Sequence, residues 1–203
     1  MCADYTKVAN ITRTVFERVK DSRTVRVTGP GTNLTAKLDY NHSEITWVIA
    51  DGKIQKQGTW NNLPDGEVFT TPLSVNGTIT TYVLGDYFDK KYGVLKTPVK
   101  FEFENGYVKA ISSEDKALET ELYQYANAGE NTNRVGEFAI GTNYAVTHFV
   151  GRMLADEKAI GDSIGGDTGA KWSANQHCDL VVQGVTIIVD DVLLMENGTF
   201  RFN

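Results

Sequence analysis

An α+β fold, built on a mainly antiparallel or mixed sheet with about three helices, is what the order of patterns along this chain predicts. Three observations lead there. Val8, Ile11, Val15 and Val19 recur at helical spacing near the start. From Thr24 to Ile111 the chain then runs through short β-prone stretches broken by Gly, Asn and Asp. Helical periodicity returns later, between further apolar strand-like runs, an order that reads as one α+β domain.

Taken in order, residues 4 to 20 read as one amphipathic helix ending at Asp21-Ser22. Strands are predicted at Thr24–Val27, Leu34–Leu38, Thr46–Ala50, Thr78–Leu84, Val99–Glu104 and Tyr107–Ser112. Asn105-Gly106 is a two-residue hairpin signal, and Asn76-Gly77 is a second candidate turn. Leu118, Leu122 and Tyr125 share one face of a second helix, Glu114 to about Ala126. A short strand, Glu137–Ile140, is followed by a third helix over Asn143–Ala155, carrying Val146, Phe149, Val150, Met153 and Leu154. Residues 156 to 176 read as a Gly-rich loop, and strands near 177–182, 185–189 and 192–195 close the chain before the turn Glu196-Asn197-Gly198. With no repeat or linker, residues 1–203 are expected to form a single catalytic-type domain.

Composition removes several functions. Lys and Arg number 20 against 26 Asp and Glu, a net charge of -6 with no dense basic run, so nucleic acid is not an expected partner. No apolar run reaches the length of a membrane span, and the first residues lack the order of a signal peptide, so no membrane and a cytoplasmic location are expected. Two cysteines, Cys2 and Cys178, make no disulfide framework. There is no G-x-G-x-x-G, P-loop, H-E-x-x-H, C-x-x-C or G-x-S-x-G motif.

The chemistry concentrates around His177-Cys178-Asp179. On a strand, positions i and i+2 face the same side, so His177 and Asp179 project together while Cys178 turns toward the core. An imidazole and a carboxylate side by side suit a divalent metal. Glu67 and Glu137 each stand in a Gly-bracketed turn beside an apolar run. Each residue also has a plainer reading. Glu67 serves as the polar exit of a turn, Glu137 as the solvent face of an edge strand, Glu157 as a solvated acid after a helix, and His177 as a hydrogen-bonded histidine at a strand start. His148 reads as packed among the apolar residues of the third helix, and His42 gives no signal.

Several segments resemble the aminopeptidase T/aminopeptidase S family of metallopeptidases. Asn62-Leu63-Pro64-Asp65-Gly66-Glu67-Val68-Phe69-Thr70 resembles its N-L-P-x-G-E-V-F segment, and Gly136-Glu137-Phe138-Ala139-Ile140-Gly141-Thr142-Asn143 its G-E-x-x-x-G-T-N segment. Met153 to Lys158 is similar to its L-x-D-E run, and His177-Cys178-Asp179 to its H-x-D. The resemblance implies the catalytic-half fold of that family and a metal-dependent aminopeptidase, cutting N-terminal residues from peptides with a metal-held hydroxide. It implies Glu67, Glu137, His177 and Asp179 as metal ligands, with Glu137 and Glu157 as catalytic carboxylates. It also implies up to two divalent ions (Zn, Co or Mn), a peptide substrate and a homodimer. Two departures accompany it: the family's further ligand His, in an H-x-A-x-G run after Glu157, has no counterpart, and neither does its N-terminal α/β domain. Two other functions therefore stand beside the peptidase. One is a mononuclear-iron ring-cleaving dioxygenase, whose site wants two His and one carboxylate; the other is a non-catalytic remnant with a weakened metal site.

Overall fold

Asp4 starts the first helix by accepting the backbone N–H groups of Thr6 and Lys7 at 2.9 and 3.4 Å. This helix, α1 (Tyr5–Val19), buries Val8, Thr12, Val15 and Val19 along one stripe, as its spacing predicts. The computed structural model describes residues 3–39, 45–54, 56–58, 60–85, 87–152, 156, 161–165 (backbone only) and 176–202.

The strands are β1 (Thr24–Gly29), β2 (Thr32–Lys37), β3 (Val48–Ala50), β4 (Glu67–Thr70), β5 (Ser74–Thr81), β6 (Val83–Leu84), β7 (Val99–Glu104), β8 (Tyr107–Ser113), β9 (Glu137–Gly141), β10 (Gly161–Gly165), β11 (Leu180–Gln183), β12 (Thr186–Val189), β13 (Val192–Glu196) and β14 (Thr199–Phe200). Two further helices are α2 (Tyr87–Tyr92) and α3 (Lys116–Ala126). The strands form an eight-stranded sheet, ordered β14-β13-β12-β1-β2-β5-β7-β8, and a six-stranded sheet, ordered β3-β4-β9-β10-β11-β6. Every described strand pair is antiparallel, so the fold is α+β, with hairpin neighbours such as β1–β2 and β7–β8.

Alternation along the larger sheet points Val25, Val27, Leu34, Ala36, Val75, Ile79 and Phe101 inward. They share one core with Val68, Phe138, Ile140, Leu180 and Val182 of the smaller sheet, and with Val15, Leu118 and Leu122 of the helices. The core thus lies between the two sheets and under α1 and α3.

Four sequence expectations change here. The helix expected over Asn143–Ala155 is absent from its described part, 143–152, which is irregular. Its backbone groups are engaged otherwise: Asp156, fully buried, accepts the N–H groups of Val150, Gly151 and Arg152 at 2.8, 2.8 and 3.1 Å. The third helix is instead α2, a single short turn-and-a-half that no long period announces. Asn76-Gly77 is not a turn but lies inside β5, where β2 approaches so closely that a Cβ on Gly77 would sit 2.1 Å from Asn33 O. The loop expected at 156–176 contains the strand β10. Asn105-Gly106 does form the β7–β8 turn, with φ of 54° and 82° at its two residues, as a type I′ turn requires.

Candidate functional site

The smaller sheet buries Val68, Phe138, Ile140 and Val182 in the main core, so the alternate positions Glu67, Glu137, Ala139 and Val181 belong to its other face. Part of that face is covered: Phe149 packs over Val83 and Val181. Glu67 and Glu137 are each 6% exposed and Asp179 is 1% exposed. Buried carboxylates of this kind need partners, because an ionised group withdrawn from water without them is strongly disfavoured.

His177 and Asp179 are brought together. Although regular strand pairing begins only at Leu180, His177 Nε2 lies 2.9 Å from Oδ1 and 3.0 Å from Oδ2 of Asp179. Cys178 packs against the core, as the alternation predicts. Glu137 opens β9 and pairs with Gly165 at the end of β10. The pairs Gly161↔Gln183 and Asp162↔Val182 then run along β10 toward the start of β11, so Glu137 and the His177/Asp179 pair lie at one end of the sheet with β10 between them. Two strand spacings separate their backbones, about 10 Å.

Glu67 is elsewhere. It pairs with Gly141, four residues along β9 from Glu137, an offset of about 13 Å, so it lies on the same face but at the opposite end of the strand pair. Glu157 and His42 fall outside the described residues. His148 is not packed, as its apolar neighbours predict, but exposed, with Nδ1 3.2 Å from Thr147 Oγ1.

Several residues of the motif segments turn out to join the chain rather than to face the site. Asp65, 2% exposed, accepts the N–H of Gly52 at 2.9 Å and of Gly66 at 3.0 Å, while its carbonyl takes a 2.7 Å bond from Asn143 Nδ2. Thr142 N–H donates to Gly66 O at 2.8 Å, and Thr142 Oγ1 meets Thr12 Oγ1 of α1 at 2.6 Å. Gly66 has φ of 126°, and a Cβ there would stand 2.7 Å from Val8 Cγ1. Asp65, Gly66, Thr142 and Asn143 thus clasp the Glu67 end of β4 and β9 to α1.

The main chain of the histidine–aspartate pair is held from two further sides that spacing did not indicate. Tyr125 Oη of α3 donates to His177 O at 3.0 Å, and Gly85 N–H donates to Asp179 O at 2.9 Å. α2, which follows Gly85, is bound to α3 through Glu121, which accepts from Tyr87 Oη at 2.8 Å and from Lys91 Nζ at 2.7 Å, and also from Tyr92 Oη. Hydrogen bonding from Lys91 and then Tyr92 holds the Glu121 carboxyl below its ordinary range, and Glu121 in turn raises Lys91 and Tyr92.

This geometry can be set against a divalent ion. The donors at His177 and Asp179 are those that zinc, cobalt or manganese accept. Their 2.9 Å separation is that of a hydrogen bond, and also that of two adjacent donors each about 2.0–2.2 Å from one ion. Among the described residues, however, no three His, Cys, Asp or Glu side chains gather closely enough to hold an ion. The pair fits as two ligands of one ion; a two-ion set does not assemble among the described residues.

The family of thermophilic metalloproteases (M29) matches residues 5–168, and the chain belongs to that family. The match stops before His177. No curated protein is significantly similar in sequence. Among solved structures, a 2,5-dihydroxypyridine dioxygenase from Pseudomonas putida superposes with a TM-score of 0.73 at 18% identity, over 98% of this chain and 60% of that one. AmpT from Thermus thermophilus superposes with a TM-score of 0.66 at 21% identity, over 98% of this chain and 53% of that one. The chain therefore spans a little over half the length of the solved structures it resembles, and that likeness establishes the shared fold. Among the described residues no helix is long and apolar enough to cross a membrane.

Proposed function

We propose that this chain is an aminopeptidase-like, metal-dependent hydrolase that removes N-terminal residues from peptides. The observation that carries it is the His177–Asp179 pair at the same sheet end as the buried Glu137, in a chain of the M29 family. Glu67 and Glu157 belong to the proposed set on the family resemblance alone. The same reading takes zinc, cobalt or manganese as the ion, peptide as the substrate, a homodimer as the assembly and the cytoplasm as the location.

A divalent cation held by His177 and Asp179 would supply Lewis acidity, polarising a peptide carbonyl and acidifying a water molecule. The side chains do the remainder. In the metal-free chain Asp179 holds the His177 ring in one orientation through both carboxylate oxygens, a contact that a bound ion would replace. Glu137 takes the water proton and returns it to the leaving amine, a role that needs a carboxylate within hydrogen-bond reach of both. The acidic face attracts the free ammonium of a substrate N-terminus, which selects exopeptidase over endopeptidase cleavage.

The likeness to the dioxygenase gives the second reading, a ring-cleaving enzyme with a single iron. An iron(II) oxygenase site takes two His and one carboxylate, and among the described residues no second histidine joins His177 and Asp179 in a three-residue cluster. One experiment separates the two. The purified chain is titrated with zinc, cobalt and iron(II), then given a short unblocked peptide or a dihydroxypyridine with oxygen. Zinc or cobalt uptake with release of the N-terminal residue, lost in His177→Ala, supports the peptidase. Iron-dependent oxygen consumption without peptide cleavage replaces it, and a chain that takes up no ion and turns over neither substrate overturns both.

A further inference from the structure

His177 and Asp179 are presented by a stretch that precedes regular strand pairing, so something other than the sheet ladder must fix it. The two carbonyls flanking Cys178 are held from separate elements. Tyr125 Oη donates to His177 O, and Gly85 N–H donates to Asp179 O. With both anchored, the peptide planes that follow His177 and Asp179 cannot rotate freely, and the two side chains are kept turned to one side.

Tyr125 is itself immobilised. Its ring stacks on Tyr87 at 6.2 Å between centroids and meets Phe88 edge-on at 5.1 Å. Both residues belong to α2, which Glu121 ties to α3 one helical turn before Tyr125. Gly85 acts at still closer range: a Cβ there would stand 2.5 Å from Asp179 N and 2.9 Å from Asp179 Oδ2. Only glycine lets this backbone approach without displacing the carboxylate.

We infer that Tyr125 and Gly85 are positioning residues for the His177/Asp179 metal-binding pair, an inference that rests on the reading proposed above. Groups that orient metal ligands typically change affinity by about 10–100-fold when removed.

Tyr125→Phe tests this, because it deletes the hydroxyl and keeps the stacked ring. Tyr123→Phe is the control: Tyr123 lies on the same helix and accepts the N–H of Ile111 at 2.8 Å, but touches neither His177 nor Asp179. Zinc affinity is measured by calorimetry on each purified full chain, and crystal structures of metal-free wild type and Tyr125→Phe give the His177 Nε2–Asp179 distance. The expected result is a loss of about tenfold in zinc affinity for Tyr125→Phe and none for Tyr123→Phe, with a widened histidine–aspartate distance. Gly85→Ala is expected to lose more. Equal zinc affinities in wild type and Tyr125→Phe, or an unchanged distance in the metal-free crystal, overturn the inference. If wild type binds no zinc, the metal reading fails by itself, and the crystallographic comparison still decides whether Tyr125 sets the pair.

Discussion

One ring nitrogen of His177 faces both carboxylate oxygens of Asp179, at 2.9 and 3.0 Å. With the Asp179 side chain 2% exposed and that of His177 27% exposed, the pair presents one face to solvent and keeps its anion inside. An ion approaching from the open side meets an imidazole and a carboxylate already side by side. Asp179→Asn keeps the shape and removes the charge, so it is expected to weaken zinc binding by about a hundredfold or more while leaving the fold intact. Calorimetric titration, with circular dichroism as the check on folding, measures this; undiminished affinity in the variant would remove Asp179 from the ligand set.

Glu137 gives a prediction about rate rather than binding. Its carboxylate is buried at the head of β9, and Gln fills the same volume. If Glu137 carries the proton from water to the leaving amine, Glu137→Gln is expected to lower kcat by about 10²–10⁴-fold with little change in KM. Steady-state kinetics on metal-loaded protein with a short peptide would show it. A kcat within a few-fold of wild type would mean that the proton travels through another group.

How much of this was legible depended on whether the cause was local. Val25/Val27 and Leu34/Ala36 alternate cleanly because one face of each strand is buried, so β1 and β2 could be read directly. The His177/Asp179 pairing followed from a spacing of two. Asn105-Gly106 and Asn76-Gly77 look alike in sequence, yet one turns and the other runs straight, because only the second is crowded by a neighbouring strand. The apolar spacing of Val146, Phe149 and Val150 suits a helix, but the buried Asp156 claims the N–H groups that a helix would use. Tyr125 supports His177 from 52 residues away, and Glu67 is separated from Glu137 by strand register. Neither relationship leaves a periodic trace in the chain.

The clasp beside Glu67 predicts a stability effect separable from chemistry. Asn143 is fully buried; its Nδ2 donates to Asp65 O at 2.7 Å, and its Oδ1 accepts the Ala145 N–H at 3.0 Å. Asn143→Ala leaves a buried carbonyl and a partly buried N–H without these partners. A loss of about 2–4 kcal/mol is expected, since each unsatisfied group costs roughly 1–3 kcal/mol. Urea unfolding monitored by tryptophan fluorescence measures it. A loss below about 0.5 kcal/mol, the range of ordinary surface changes, would show that the clasp is not holding β4 and β9 to α1.

The tie between α2 and α3 should make stability depend on pH at both extremes. Glu121 has a carboxyl held below its ordinary value of 4.5, first by the hydrogen bond from Lys91 and then by that from Tyr92. A depressed carboxyl stabilises the fold fully above its ordinary value, and that contribution disappears as pH falls through the depressed one. Lys91 and Tyr92 are raised above 10.5 and 10.0, in both cases chiefly by the hydrogen bond to Glu121. Their contributions are complete below those ordinary values and are lost as pH climbs through the raised ones. Solvent screens part of this, because the Lys91 side chain is 47% exposed and that of Glu121 is 23% exposed. Glu121→Gln removes the depressed carboxylate itself and the hydrogen-bond acceptor that raises Lys91 and Tyr92. The expected outcome is a wild-type advantage in urea midpoint that is largest near neutral pH and shrinks both below about pH 4 and above about pH 11. Since Tyr125 stacks on Tyr87, the variant should also loosen the support of His177, so its zinc affinity should fall in step with Tyr125→Phe. An advantage that stays constant from acid to alkali would show that the Glu121 contacts hold α2 through shape alone. Zinc affinity unchanged in Glu121→Gln, with the pH profile altered as expected, would confine the Glu121 tie to stability and leave Tyr125 anchored by its ring contacts.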